Sequence, residues 1–198
     1  MDALKKRSLI MLEDSKQYLA AGIILNNAKE PEAPIGLYNP VLNSLLISIE
    51  LSLKSVLYHA GIAPKNGHDI GTGLIDAISN GLQISEPAAC VVFSLNEPYL
   101  KHAPRYSPHS EKILKIMPVP MVLQTATEVV ASAEMLIKDK PFAMQYTPLI
   151  YDRAVELKAQ VENQYQEQID NVDFNRVYTE DDKPPYALGT VFVTPLEK

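Results

Sequence analysis

Cysteine is almost absent. Cys90 is the only one in 198 residues, which excludes an internal disulfide and any multi-cysteine metal site. Long apolar runs are also missing, and no uninterrupted one is long enough to span a bilayer. The basic cluster near the N-terminus, in MDALKKRSLIMLEDSK, leads into an apolar stretch that Glu13 and Asp14 cut short, so it does not read as a signal peptide. These absences together lead us to expect a cytoplasmic protein. A positive balance is lacking as well. The net charge is -6 and the isoelectric point about 5.2, against the clustered Lys and Arg that a general grip on nucleic acid needs. One dense basic segment stands out, formed by Lys101, His102, Arg105, His109, Lys112 and Lys115. No G-x-S-x-G, Walker loop or H-E-x-x-H occurs. His59, His68, His102 and His109 lack the spacing of metal ligands on a shared helical face, so neither metal nor cofactor is expected. Sequence repeats and low-complexity segments are absent.

What is present is helical periodicity. Apolar residues make up 46% of the chain, an ordinary globular share. The length suits one domain with a sizeable core, or one domain plus an appendage. Residues 2–28 place Leu4, Met11, Leu12, Tyr18, Leu19 and Leu25 on one face. KEPEAPIGLYNP then breaks the helix. From Val41 to Ala60, positions 42, 45, 46, 49, 53, 56, 57 and 60 form a wide core stripe, with Ile47, Leu51 and Tyr58 opposite. A helix apolar on two sides predicts neighbours on both. Its strip of Ser44, Ser48, Ser52, Ser55 and His59 would admit another helix closely.

A third helix is expected from near Asp69 to the Asn80-Gly81 stop signal. The fourth is expected to be capped by Ser85, with Pro87 in its first turn, and to end or kink at Pro98. The fifth starts after Pro118 with a strong amphipathic pattern. The sixth runs from Pro148 to about Asp170 on a narrower stripe of Ile150, Ala154, Leu157, Val161, Tyr165 and Ile169. Beyond it the chain turns polar, acidic and proline-rich, ending in the β-prone GTVFVT. The expected architecture is all-α: an up-and-down bundle of five to six helices over residues 1–170, with an extended tail over 171–198 that includes one short strand at most.

Three groups of polar residues carry chemical interest. Glu50 and Lys54 stand four apart with the acid first, the favourable order for a helical pair, and lie between apolar strips where charges need partners. They serve either to orient the helix or to wall a polar pocket. His68-Asp69 follows a PKNG turn. Asp69 suits an N-cap, and His68 could hydrogen-bond across to Glu50 or to backbone. Gly71 and Gly73 open the backbone behind that cap, a place where an anion can sit, although Asp69 would repel it. Arg105 to His109, RYSPH, joins a phosphate-binding side chain to a general acid or base, or is simply a turn burying Tyr106. Cys90 lies in AACVVF, a setting for an inert thiol.

The run IELSLKSVLYHAG followed by GHDIGTGL resembles the HEPN superfamily, the higher-eukaryote-and-prokaryote nucleotide-binding domains. Many members carry a helix reading roughly E-x-x-L-K, then H-D-L at the start of the next helix. Glu50, Leu53 and Lys54 match the first element. His68 and Asp69 match the second, with Ile70 replacing leucine. YLKHAPRY looks like the aromatic and Arg-Tyr segment that follows in such proteins, and the resemblance spans about residues 39 to 137. It implies a helical bundle that often dimerises, with links to nucleotides or RNA and to defence or toxin–antitoxin systems. In ribonuclease members an arginine is followed by a polar residue, three more positions and a histidine. Here Arg105 to His109 is one residue shorter, and Tyr106 replaces the polar residue.

Three functions follow as expectations. The first is a non-catalytic binding module for a nucleotide, RNA or a partner protein, working as a homodimer, with Glu50, Lys54, His68, Asp69 and Arg105 as its polar cluster. The second is a metal-independent endoribonuclease using Arg105 and His109. The third is a structural interaction protein whose charged pairs fix helix register.

Overall fold

A computed structural model describes residues 3–28, 38–65, 67–100, 112–115, 118–142, 146–170 and 192–195. Six helices carry the fold: α1 (Ala3–Asn27), α2 (Tyr38–His59), α3 (Ile70–Ser79), α4 (Glu86–Leu100), α5 (Val119–Ile137) and α6 (Tyr151–Asp170). The chain is an all-α bundle. Two four-residue strands, β1 (Lys112–Lys115) and β2 (Phe192–Pro195), pair antiparallel with Lys112 opposite Pro195 and Lys115 opposite Phe192. The remainder of the tail lies outside the described residues.

α2 is the central helix. It packs on α1, α3 and α5, and Leu42, Leu45, Leu46, Ile49, Leu53 and Val56 are buried along its core stripe. Ala60, expected on that stripe, is exposed where the helix has ended. The length and mean hydropathy of residues Pro40–His59 would suit a bilayer, yet 78% of that stretch is buried inside the bundle. Its apolar character is therefore accounted for by packing on three neighbours.

The serine strip of α2 meets α1. Ser48, Ser52 and Ser55 are fully buried, and Ser8 Oγ donates to the Ser55 carbonyl at 2.8 Å. On α1 the buried residues are Ser8, Leu12, Ser15 and Gly22, of which the small ones, Ser8, Ser15 and Gly22, recur every seventh position. A Cβ added at Gly22 would lie 2.7 Å from Leu45 Cδ2, so the two helices approach as closely as glycine permits. Arg7 stacks over the Tyr58 ring at 5.2 Å and closes one end of the pair.

This packing uses the face expected for α1: Leu12 is buried in the core and Leu19 and Leu25 pack against it, on the same side as Ser8, Ser15 and Gly22. Of the proposed stripe only Leu12 is fully buried, while Tyr18 is exposed. Apolar periodicity pointed to the larger side chains, but close helix approach is set by the small ones. Two boundaries differ. Pro98 lies inside α4, which continues to Leu100. α6 begins at Tyr151 rather than Pro148, leaving Ile150 exposed, whereas Ala154, Leu157 and Val161 are buried as the stripe predicts. Tyr165 and Ile169 have side chains outside the described set.

The remaining helix starts follow local rules. Asp69 caps α3, and Asn80 with Gly81 at φ 97° ends it. Ser85 caps α4 through Oγ, which accepts from the Ala88 amide at 3.3 Å. Glu128 of α5 reaches back to the same turn and accepts from the Ser85 amide (2.6 Å) and hydroxyl (3.0 Å). The Tyr146 hydroxyl is pushed above its usual pKa by burial and by the nearby Glu128 carboxylate. α4 then packs on α3, α5 and α6, which brings its Asn96 and Tyr99 face against the α2–α3 junction.

Candidate functional site

Glu50 lies on the flank of α2 that faces α4 and the α2–α3 loop, and only 8% of it is exposed. Burial alone pushes its carboxyl up, and this is the largest influence on it. Three donors together outweigh that effect and hold Glu50 below its usual value. Lys54 Nζ, one turn along, donates to Oε1 at 2.6 Å. The Tyr99 hydroxyl donates to Oε2 at 2.6 Å. His68 Nδ1 lies 2.8 Å from the same oxygen. An ionised carboxylate only accepts, so the His68 proton on this bond sits on Nδ1.

The loop from α2 to α3 is shaped for this convergence. Gly61 and Gly67 take φ values of 80° and 129°, left-handed backbone that glycine adopts without strain. The Gly67 carbonyl accepts from Lys54 Nζ at 3.1 Å, so the lysine ties the loop to the helix. The His68 ring packs edge-on against Tyr99, with centroids 5.4 Å apart and planes at 67°.

Asp69 is adjacent but faces another way. Burial, the largest influence, raises its pKa, and the net shift is downward because Thr72, Lys158 and Asn96 favour the charged form. Its carboxylate accepts from the Thr72 amide at 2.8 Å. Asn96 Oδ1 accepts from the Gly71 amide at 2.9 Å, and the Gly73 amide donates to the Asp69 carbonyl at 3.1 Å. These three amides are thereby occupied, which corrects the expectation that Gly71 and Gly73 open an anion site. Gly71 instead permits close approach: a Cβ there would meet Asn96 Cγ and Nδ2 at 3.0 Å and Lys158 Cε at 3.3 Å.

Of the expected polar cluster, the structure joins Glu50, Lys54 and His68 directly and sets Asp69 beside them as a cap. Arg105 and His109 lie outside the described residues, as do Lys101 and His102. The sequence reading missed Tyr99 and Asn96. The signal for both was present in the run SLNEPYL: a tyrosine in an otherwise apolar helix needs a partner for its hydroxyl, and Asn96 stands one turn before it on the same face. Asn96→Ala is expected to lose about 2 kcal/mol, since the buried Gly71 amide is left without an acceptor. Urea denaturation with an unchanged m-value checks this; a loss under about 0.5 kcal/mol would remove Asn96 from the α3–α4 junction.

Cys90 fits its expected inertness, its thiol pushed up first by burial and then by Glu86. Among the described residues no three His, Cys, Asp or Glu side chains are grouped as metal ligands would be.

Beside the cluster, between α2, the loop and α3, lies a cavity of about 140 Å³. Leu53, Leu57, Pro64 and Ile70 form its apolar lining, and Glu50, Lys54, Lys65, Asp69, Thr72 and Asp76 its polar part. Glu50 and Lys54 neutralise one another, which leaves Asp69 and Asp76 against Lys65. Pockets for drug-sized ligands run to about 300–1,000 Å³, so the described lining encloses room for a single chemical group.

Comparison with known proteins gives no matching family model, no matching curated protein and no matching solved structure. The resemblance to the HEPN superfamily therefore rests on its sequence motifs alone.

Proposed function

We propose that the chain is a non-catalytic, HEPN-like binding module that recognises a partner protein through the cavity beside Glu50. The observation that carries this reading is the size and charge of that cavity. At about 140 Å³ it admits a side chain presented by a larger partner. Its acidic surplus favours a cationic group and disfavours a phosphate. Glu50 is poorly placed to act as a general base, because three donors engage it and it is held ionised below the usual carboxylate range. Its role in this reading is to fix the cavity wall.

Titration of isotope-labelled protein with lysine- and arginine-containing peptides, followed by amide NMR, tests the proposal. Such peptides are expected to shift the Thr72, Gly73 and Asp76 amides, and Asp76→Lys is expected to abolish the shifts without unfolding the chain. Shifts produced there by mononucleotides and not by the peptides would replace the protein partner with a nucleotide. RNA cleavage in chelator that disappears in His109→Ala would replace the binding module with a ribonuclease.

A further inference from the structure

The face of α1 turned away from α2 leaves large apolar side chains open to solvent. Leu9 is 37% exposed, Ile10 51%, Ile23 37% and Ile24 66%. Scattered single residues of this kind are ordinary. These four are not scattered: they form two adjacent pairs, two heptads and roughly 21 Å apart along the axis. An α-helix drifts only about 20° per heptad, so both pairs remain on one side of α1. Glu13, Gln17 and Ala20 are exposed between them.

We propose that α1 is a self-association surface on which the α1 of a second copy lies antiparallel. A two-fold axis at Lys16–Gln17 places Leu9 and Ile10 of each copy on Ile23 and Ile24 of the other. That is an isologous contact, in which one patch is its own complement. What selects a second copy over an unrelated partner is charge: the N-terminal lysines of one α1 meet the C-terminal end of the other, which has no basic residue in its last turn.

The charges agree. Lys5 and Lys6 stand near the N-terminal end of α1, where the helix dipole disfavours cations, and its last turn carries no basic residue. Antiparallel pairing sets these lysines beside the C-terminal carbonyls of the facing helix, where cations are favoured. Near the axis Lys16 is already neutralised, by Glu134 at 2.9 Å and Glu13 at 3.2 Å. The surface belongs to a helix outside the HEPN-like segment and does not depend on the reading of the Glu50 cavity.

Sedimentation and disulfide trapping on the full chain test it. The wild type is expected to show a concentration-dependent dimer, and Ile10→Lys with Ile24→Lys to be monomeric with unchanged helical circular dichroism. Oxidation of an equimolar mixture of Ile10→Cys and Ile24→Cys chains is expected to give a covalent dimer. Ile24→Cys alone is expected to give none, since the two copies of position 24 lie too far apart for a disulfide. A wild type that stays monomeric at its highest soluble concentration would overturn the proposal. So would a dimer that survives the double lysine variant, or equal trapping by Ile24→Cys alone.

Discussion

Glu50→Ala is expected to destabilise the fold by about 3 kcal/mol, the range found when one partner of a buried charge pair is removed. The loss has identifiable parts. The Tyr99 hydroxyl is fully buried and loses its acceptor. Lys54 and His68 lose the carboxylate that draws the α2–α3 loop onto α2. Glu50→Gln keeps the shape and one acceptor oxygen, so its loss should be smaller. Both variants also differ from the wild type in their pH dependence. Glu50 is held below its usual value of 4.5, so in mild acid the unfolded chain binds more protons than the folded one. The stability from this group is therefore complete above about pH 4.5 and lost as the pH falls through the folded value. Asp69 shifts downward too, and Glu134 is held at about 2 by Lys138 and Lys16. Both add losses of the same sign, so the measurement is the difference between wild-type and Glu50→Gln denaturation curves from pH 7 to 3. The gap should narrow toward acid. A gap independent of pH would show that the Glu50 charge adds nothing to the fold.

The second large effect concerns the α1–α2 seam. Leu45→Ala removes a fully buried side chain and is expected to cost about 2–5 kcal/mol. Gly22→Ala alone is expected to cost about 1 kcal/mol, because overpacking on Leu45 outweighs the helix propensity gained. With Leu45 already truncated, the new methyl group enters the vacated space, and Gly22→Ala should become stabilising. A double-mutant cycle in urea therefore carries a coupling of about 1–3 kcal/mol. Additive effects would mean that Gly22 and Leu45 do not touch, and the close helix approach would be wrong.

Local chemistry made much of this molecule legible in its sequence. The wide apolar stripe of α2, the Asp69 and Ser85 caps and the Asn80-Gly81 stop each follow from side chains within one or two turns, which is the range over which such signals act. The Glu50–Lys54 pair was visible for the same reason. His68 was harder to place, since its partner lies across a loop whose course depends on two glycines in left-handed backbone.

The tertiary structure alone decided how closely α1 approaches α2. Hydropathy ranks side chains by their transfer from water, yet Ser8, Ser15 and Gly22 are buried because small residues let two helices come close, and no local signal distinguishes them from a polar surface. Tyr99 and Asn96 carried a local sign that each needs a partner, but not which partner. Each is defined by a group distant in sequence, the Glu50 carboxylate for one and the Gly71 amide for the other. Composition and periodicity determined an all-α bundle with a charged pair on its central helix. Packing determined that this charge has three donors, because hydrogen-bond partners separated by tens of residues meet only after the helices have docked.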